Sequence, residues 1–175
     1  NWWMLAFVVA LLAGIFGTWF SYLTNMLLTR GQCQTLQPKL KIDAKGNQRK
    51  DGMEQQCWPD GSWRTQGQWV QGKKHELWKV WYDNGYQKAE FTYKDGVKNG
   101  VHTFWYQDGM KSRQSSWREG LLHGSRLEWF ANGNRKTISQ WLHGKADGTR
   151  FQWYPDNSKK MTVNYVQGKR HGKSV

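Results

Sequence analysis

Apolar residues are distributed in two different ways along the chain. Residues 1–29 carry no charge, and Trp2 to Leu28 consists mainly of leucine, alanine, valine, phenylalanine and glycine. Since about 20 apolar residues span a bilayer, this run predicts one transmembrane helix over residues 1–29. From Arg30 onward, short aromatic-rich runs alternate with Asn-Gly and Asp-Gly pairs, a pattern typical of strands joined by tight turns.

The turn pairs recur with a 24-residue period, and two series of aromatic residues share that period. The turns are Asp60-Gly61, Asn84-Gly85, Asp108-Gly109, Asn132-Gly133 and Asp156-Asn157. The aromatic series are Trp81, Trp105, Trp129 and Trp153, and Tyr93, Trp117, Trp141 and Tyr165. So many coincidences at one period indicate a tandem repeat.

The repeat unit predicts an all-β fold. Each unit contains two short strands and two turns, and Asn-Gly favours a type I′ turn, in which both central residues have positive φ. We therefore expect an elongated, single-layer antiparallel sheet of tandem β-hairpin repeats over residues 57–175, preceded by the transmembrane helix. Residues 30–56 are polar and contain Pro38, Gly46 and Gly52, which predicts a linker with room for one irregular hairpin.

Equivalent positions in the repeats indicate which side chains are buried. The Trp81 position is tryptophan in four units and Cys57 in the first, and the Tyr93 position is always aromatic, so we expect two structural ladders of aromatic residues. The position of Trp78 becomes His102, Arg126 and Arg150, so we predict that it faces water. In a single-layer sheet the rings could instead stack on sugars or bases, and this alternative stays open.

The repeat resembles a known type. Its pattern Trp-Tyr-x-Asn-Gly-x-x-Lys-x-x-x-x-Tyr-x-x-Gly-x-x-x-Gly is similar to the MORN-type repeat, in the bacterial variant of the YwqK-family "antitoxin" proteins, over residues 57–175. The resemblance implies a hairpin sheet that acts as a scaffold or a membrane-associated adaptor, and the antitoxin name does not establish an activity. The chain departs from the pattern at Glu76 and Asn157, where the family has glycine.

Charge is confined to the part of the chain after the apolar run. All 26 lysines and arginines and all 13 acidic residues lie from Arg30 onward, so this part carries a net charge of +13. Such a field favours anionic partners, among them lipid headgroups and acidic proteins or polymers. Because the basic residues are scattered, a merely solvated surface is an equal alternative, and we do not expect nucleic acid as the partner.

The two cysteines, Cys33 and Cys57, are disulfide candidates. Neither belongs to a Cys-x-x-Cys pair, so zinc is not indicated. A bridge between them would close a loop between the apolar run and the first repeat, and it would require an oxidising compartment. Two free thiols are the alternative.

No set of residues predicts catalysis, a cofactor or a metal. His75, His123 and His171 share one repeat position with Asn99 and Asp147. These are the residue types that tolerate positive φ, so a turn is a better interpretation than a metal site. Most aspartates belong to turns, and no carboxylate pair, nucleophile elbow or phosphate loop is present in the sequence. We therefore expect a protein that is not an enzyme.

Small residues form a docking face on the predicted helix. Ala6, Ala10 and Gly14 are spaced by four residues, and Ala13, Gly17 and Ser21 form an adjacent row. Small residues at this spacing let a second helix approach closely in lipid. The alternative is that glycine and alanine are simply frequent in membrane helices.

Together these features predict a non-catalytic, membrane-anchored repeat scaffold that is an accessory or assembly subunit of a membrane protein complex. The alternative is a regulatory binder, either antitoxin-like or a tether to anionic lipid or polymer. We expect single-pass insertion in a bacterial inner membrane. Basic residues after the helix favour a cytoplasmic repeat domain, whereas the cysteine pair favours the periplasmic side, which we adopt as the expectation.

Overall fold

The computed structural model describes residues 33–172. The predicted transmembrane helix and its docking face, Ala6 to Ser21, lie outside the described residues. The described part of the chain includes no helix of the length and hydrophobicity that crossing a bilayer requires. Its secondary structure is all β, as the repeat pattern predicts.

The strands form one open antiparallel sheet of hairpins in which neighbours in sequence pair with one another. The order is β1-β2-β3-β4-β5-β7-β8-β9-β10-β12-β13-β14, and the two-residue strands β6 and β11 pair with β5 and β10. The strands are β1 (Lys39–Ile42), β2 (Gln48–Cys57), β3 (Trp63–Val70), β4 (Lys73–Trp81), β5 (Gln87–Lys94), β6 (Val97–Lys98), β7 (Gly100–Trp105), β8 (Lys111–Arg118), β9 (Leu121–Trp129), β10 (Arg135–Leu142), β11 (Lys145–Ala146), β12 (Gly148–Trp153), β13 (Lys159–Val166) and β14 (Lys169–His171).

The sheet begins earlier in the chain than the repeat pattern indicates. Strands β1 and β2 lie in the segment that we predicted as a linker with room for one hairpin, and β2 pairs with β3 of the first repeat. Gly52 has a φ of 104° and is paired with Trp69. The segment before Cys57 therefore supplies the first strand of the repeat frame, although it lacks the aromatic residues of the later units.

The type I′ turns occur at the second turn of each unit rather than at Asn-Gly. Five two-residue loops have positive φ at both positions, and their flanking residues are paired, as in Val70 with Lys73. They are Gln71-Gly72, Asp95-Gly96, Glu119-Gly120, His143-Gly144 and Gln167-Gly168. At Asn84-Gly85 only the glycine has positive φ, which excludes the predicted type I′ turn there.

The Asn-Gly and Asp-Gly loops are instead closed by the side chain of the first residue. Oδ1 of Asn84 accepts a hydrogen bond from the backbone N–H of Tyr86, and Oδ1 of Asp108 accepts one from Met110. Asp60, Asn132 and Asp156 make the same bond two residues ahead. Asparagine and aspartate recur at this position because their short side chains can close such a turn.

Hydrogen bonds also join each turn to a neighbouring repeat. At the type I′ side, the Gly72 N–H donates to the Lys50 carbonyl at 2.7 Å and the Gly96 N–H donates to the Lys74 carbonyl at 2.8 Å. Gly120, Gly144 and Gly168 make the corresponding bonds to Lys98, Leu122 and Ala146. At the other side, the Tyr82 hydroxyl donates to the Trp105 carbonyl. The turns are thus hydrogen-bonded in series along both sides of the sheet.

The register assigns the side chains to two faces. Residues directly opposite each other share a face, and the pairs Trp78–Phe91, His102–Ser115 and Ser115–Arg126 connect equivalent positions of successive units. We call the face that carries Trp78, His102, Arg126 and Arg150 face A, and the opposite one face B. Face A contains most of the buried side chains among the described residues, with Glu54, Trp78, Ala89, His102, Ser115, Thr137, Ser139 and Val163.

The expectation that the Trp78 position faces water is wrong. Trp78 is 4% exposed and His102 is 1% exposed. The sequence is misleading here because polar residues at this position are also enclosed: Arg126 and Arg150 are half-buried. A position that varies between aromatic and basic residues need not be a surface position when long side chains can lie flat along a sheet.

The two predicted aromatic ladders occupy opposite faces. Tyr93 pairs with Glu76, two residues from Trp78, and so lies on face A with Trp117, Trp141 and Tyr165. Trp81 follows Val80 of face A, so strand alternation puts its series on face B. The contact of Trp153 with Phe151 at 6.1 Å, two residues away, agrees with this assignment. All eight ladder residues are half-buried.

Candidate binding face

A row of lysines and aromatic rings follows one side of face A. Lys74 pairs across strands with Trp69, and Lys98 pairs with Tyr93. The Lys50 Nζ lies 4.9 Å from the centroid of the Trp69 ring, and the Lys98 Nζ lies 4.5 Å from that of Trp117. We call Lys50, Lys74, Lys98, Trp69, Tyr93 and Trp117 the first cation–aromatic row. Successive lysines are two strands apart, a distance of about 9.5 Å.

Lys74 is the most enclosed cation of the first row. Its Nζ lies 4.3 Å from the Trp78 centroid, 5.5 Å from that of Tyr93 and 5.9 Å from that of Trp69. Burial lowers the pKa of Lys74 from its ordinary value, an effect that Glu54 opposes and Lys50 increases. A cation held over aromatic rings gains about 0.5–2 kcal/mol, depending on how far it is desolvated.

The first row ends in the middle of the array. The next two equivalents of Lys98 are Leu122 and Ala146, and the last is Arg170. A hydrogen bond from Arg170 lowers the pKa of Tyr165, so the pairing of cation and ring returns at the last unit. The first cation–aromatic row is therefore concentrated in the first half of the sheet.

A second cation–aromatic row lies beside the Asn-Gly and Asp-Gly loops and recurs with the same 24-residue period. Arg64 lies 4.9 Å from the Trp58 centroid, and Lys88 lies 5.3 Å from that of Tyr82. Lys136 over Phe130 and Lys160 over Tyr154 repeat the arrangement at 5.6 and 5.2 Å. Each cation is the residue left unpaired by a register shift next to a hairpin loop: Val80 pairs with Ala89 and Trp81 with Gln87, which leaves Lys88 between them without a partner residue.

An acidic residue, Glu54, contacts the first lysine and the first aromatic ring of the first cation–aromatic row. Glu54 is 7% exposed and accepts hydrogen bonds from Trp69 Nε1 at 2.7 Å, Gln56 Nε2 at 2.9 Å and Lys50 Nζ at 3.2 Å. Its carboxylate oxygens are therefore hydrogen-bonded although they are enclosed, as buried polar groups usually are. The equivalents of Glu54 in the later units are Trp78, His102, Arg126 and Arg150, so the later part of face A has no comparable acid at this position.

The later units of face A are held by polar contacts. Arg126 donates to Oε1 of Glu128 through Nη2 at 2.6 Å and through Nε at 3.0 Å. Trp141 Nε1 donates to the Ser139 hydroxyl at 2.9 Å, as Trp117 Nε1 does to Ser115 at 3.0 Å. The buried residues Ser115 and Ser139 occupy the repeat position that Phe91 occupies in an earlier unit.

The histidines interpreted as turn residues lie beside the turn rather than in it. The residue with positive φ is the next one: Glu76 at 54°, Gly100 at 84°, Gly124 at 93° and Gly148 at 103°. Glu76 thus adopts a left-handed conformation at a place where later units have glycine. Within residues 33–172, no group of three or more His, Cys, Asp or Glu side chains is arranged to hold a metal ion.

Neither Cys33 nor Cys57 is a free thiol, and both are disulfide-bonded. Cys33 is buried, with 9% exposure.

The remaining candidate residues, on the predicted helix, lie outside the described residues. The cations of the two rows were missed by the sequence analysis, although the same 24-residue register that revealed the aromatic ladders also contains them.

A comparison with protein-family models finds no match for this chain, and a comparison with curated proteins finds none either. The resemblance to MORN-type repeats therefore stays an expectation about the repeat pattern.

Proposed function

We propose that this protein is a non-catalytic repeat scaffold, anchored in a membrane by residues 1–29, that serves as an accessory or assembly subunit of a membrane protein complex. Its helix would dock through the small residues, and face A would bind a partner subunit. The observation that carries the proposal is the first cation–aromatic row, in which Lys50, Lys74 and Lys98 recur with aromatic rings between them.

Such a row suits an extended acidic surface better than a single small ligand. Charges that recur every second strand can meet a partner at several points about 9.5 Å apart. Aromatic rings at the same positions supply contact area that is not screened by salt. The resemblance to MORN-type repeats, which implies scaffold and adaptor roles, supports the same interpretation.

The test is purification of the full-length chain from its native membrane in a mild detergent. We expect other membrane subunits to co-purify in a fixed stoichiometry, which mass spectrometry of the intact complex would measure. Recovery of the chain alone at low salt would overturn the proposal that it is a subunit.

Two sets of variants separate the contributions of the helix and of the sheet. Gly14→Leu with Gly17→Leu should reduce co-purification without preventing membrane insertion, because bulky side chains keep helices apart in lipid. Val9→Leu with Ile15→Leu is the matched control. For the sheet, the triple change of Lys50, Lys74 and Lys98 to Gln should reduce co-purification, whereas the same change at Lys94, Lys111 and Lys159 removes equal charge outside the row.

The second candidate function is a regulatory binder or a tether to an anionic polymer or lipid surface. The net charge of +13 favours it. Exposed charges are screened over about 8 Å at physiological ionic strength, so such a partner should dissociate at high salt. A subunit held by a helix in the membrane should remain bound in the same titration, and this outcome discriminates between the two candidates.

We further propose a bacterial inner-membrane location with the repeat domain in the periplasm. The disulfide-bonded cysteines support an oxidising compartment. In spheroplasts, a membrane-impermeant thiol reagent should label Cys33 and Cys57 only after treatment with a reductant. Labelling that requires disruption of the membrane would place the domain on the cytoplasmic side.

A further inference from the structure

The second cation–aromatic row is interrupted at one repeat. Its cations are Arg64, Lys88, Lys136 and Lys160, and the equivalent residue in the remaining unit is Ser112. Tyr106 is consequently the one ring of this series that has no cation over it among the described residues. The short serine side chain leaves open the space that a lysine would fill.

A cavity of about 340 Å³ occupies this place. We call it the Ser112 cleft, and it is lined by Tyr106, Ser112, Arg113, Glu128, Trp129 and Lys136, among others. Its volume is at the small end of the range for ligand sites. Because it is a shallow depression in a sheet surface, it suits a side chain that projects from a partner better than an engulfed metabolite.

The charge of the cleft favours an anion. The carboxylate of Glu128 is already paired with Arg126, whose Nη2 lies 2.6 Å from Oε1. Arg113 and Lys136 have no acidic partner among the ion pairs of residues 33–172. The Arg113 guanidinium lies 4.1 Å from the centroid of Phe104, which orients it without neutralising it.

Arg113 is itself specific to this repeat. Its equivalents are Thr65, Ala89, Thr137 and Met161, none of which is charged. In this unit, therefore, the basic residue stands one position later in the sequence. Arg113 lines the wall of the cleft, whereas Ser112 occupies the position that holds the cation over the ring in other units. The shift creates a site that combines an uncovered tyrosine ring with an arginine and a lysine that lack acidic partners.

We propose that the Ser112 cleft binds a carboxylate side chain of an acidic segment of a partner protein, with an adjacent aromatic or apolar residue of that segment against the ring of Tyr106. This inference rests on the proposed function, in which the array binds a protein partner. Arg113 and Lys136 would hold the carboxylate, and charge-assisted hydrogen bonds of this kind are the strong ones at interfaces. The cleft would anchor the partner at one defined repeat of an otherwise periodic surface.

The test uses the full-length protein in detergent and a blocked pentapeptide, acetyl-Gly-Glu-Phe-Glu-Gly amide, as the probe. We expect saturable binding, measured by calorimetry. The glutamine version of the peptide and inorganic phosphate serve as comparison ligands. Absence of saturable binding of the glutamate peptide, or equal binding of the glutamine peptide, would overturn the proposal, and preference for phosphate would replace it with a phosphate site.

Three variants locate the binding. Ser112→Met fills the cleft without adding charge, and Arg113→Thr introduces the residue of two other repeats. Each should weaken binding about tenfold or more: Arg113→Thr removes a charge-assisted hydrogen bond to the carboxylate, and Ser112→Met fills the space that the peptide would occupy. Lys94→Thr is the matched control, because it lowers the net charge by one as Arg113→Thr does but lies in a different repeat and outside both cation–aromatic rows. It should leave binding unchanged.

Circular dichroism of each variant verifies that the sheet is intact. If Ser112→Met and Arg113→Thr bind the peptide as well as the wild type does, or if Lys94→Thr weakens binding equally, the cleft is not the site. The proposed function fails separately: a chain that purifies alone but binds the peptide at the cleft would refute the subunit role and leave the site standing.

Discussion

The two halves of the array use the same backbone frame with different interiors. In the first half, face A buries Trp78 between Trp69 and Phe91, and His102 contacts Phe91, Tyr93 and Trp117. In the second half, the same positions hold Arg126 and Arg150, beside the small residues Ser139 and Val163. The strands pair in the same antiparallel manner in both halves. The frame is therefore specified by turns and backbone hydrogen bonds, while the interior residues are free to differ.

This difference predicts that the two halves contribute unequally to stability. Burial of aromatic side chains is the larger favourable effect, at about 25 cal/mol per Å² of apolar surface. A half-buried ion pair such as Arg126–Glu128 contributes much less. The first half should hence be the more stable part of the sheet, and the four predictions that follow examine this difference in stability.

The largest effect is expected for Trp78→Ala. Removing this buried ring should lower the free energy of unfolding by about 3–5 kcal/mol, since a large cavity is left behind. Arg150→Ala, at the equivalent position of the last units, should cost about 1 kcal/mol or less. Denaturant unfolding followed by circular dichroism measures both. Equal losses would mean that the two halves differ in composition but not in energetics.

The next effect is expected at Gly67, which lies opposite Glu54 and beneath the Trp78 ring. A Cβ atom at Gly67 would overlap the Trp78 side chain. Gly67→Ala should thus cost about 1–3 kcal/mol by overpacking. Combining Gly67→Ala with Trp78→Leu should cost less than the sum of the two single changes; strict additivity would contradict the contact.

A gain in stability is expected for Glu76→Gly. Glu76 has a φ of 54°, whereas its equivalents Gly100, Gly124 and Gly148 are glycines with positive φ. A non-glycine residue in this conformation costs about 1–2 kcal/mol, so the substitution should stabilise the protein by roughly 1 kcal/mol. The reverse change, Gly100→Glu, should destabilise it by a similar amount. A thermal unfolding midpoint that falls in Glu76→Gly would show that the glutamate makes a compensating contact.

The smallest effect concerns the pH dependence of the first half. Burial lowers the pKa of His102, an effect that the Thr92 carbonyl opposes and Lys98 increases. The unfolded state therefore takes up the proton first as the pH falls below about 6.5. Because the unfolded state then binds more protons, stability decreases on acidification and levels off only below the folded-state pKa.

Comparing the free energy of unfolding at several pH values from neutral to mildly acidic would test this expectation. His102→Asn should reduce the dependence of the free energy of unfolding on pH, whatever it does to the absolute stability. His143→Asn, at an exposed position, should leave that dependence unchanged. An unchanged slope in His102→Asn would assign the pH dependence to other groups.

Much of the fold follows from the sequence because the repeat period is strict. The existence of hairpins, the all-β class and the alignment of turns with aromatic residues all depend on that period. The turn types do not, since Asn84-Gly85 and Gln71-Gly72 are both compatible with several loops. Only the backbone conformation and its hydrogen bonds distinguish the side-chain-closed turn at Asn84 from the type I′ turn at Gln71.

The candidate binding features were less predictable from the sequence. Whether the Trp78 position is buried depends on Gly67, which provides the space for the ring and belongs to another strand. The uncovered ring of Tyr106 is visible in the sequence only after one knows that Lys88 lies over Tyr82. Such through-space relations between neighbouring strands are not contained in a one-dimensional pattern until the register is known.

The serial hydrogen bonds between turns constrain how this molecule can change in length. An insertion of a few residues in any one turn would displace the Gly N–H and carbonyl pairs of two repeats, such as Gly96 with Lys74. A duplication of a whole 24-residue unit would instead restore every bond and add two strands, or about 9.5 Å. The length of the sheet can therefore change in steps of one whole repeat more readily than by gradual extension of single turns.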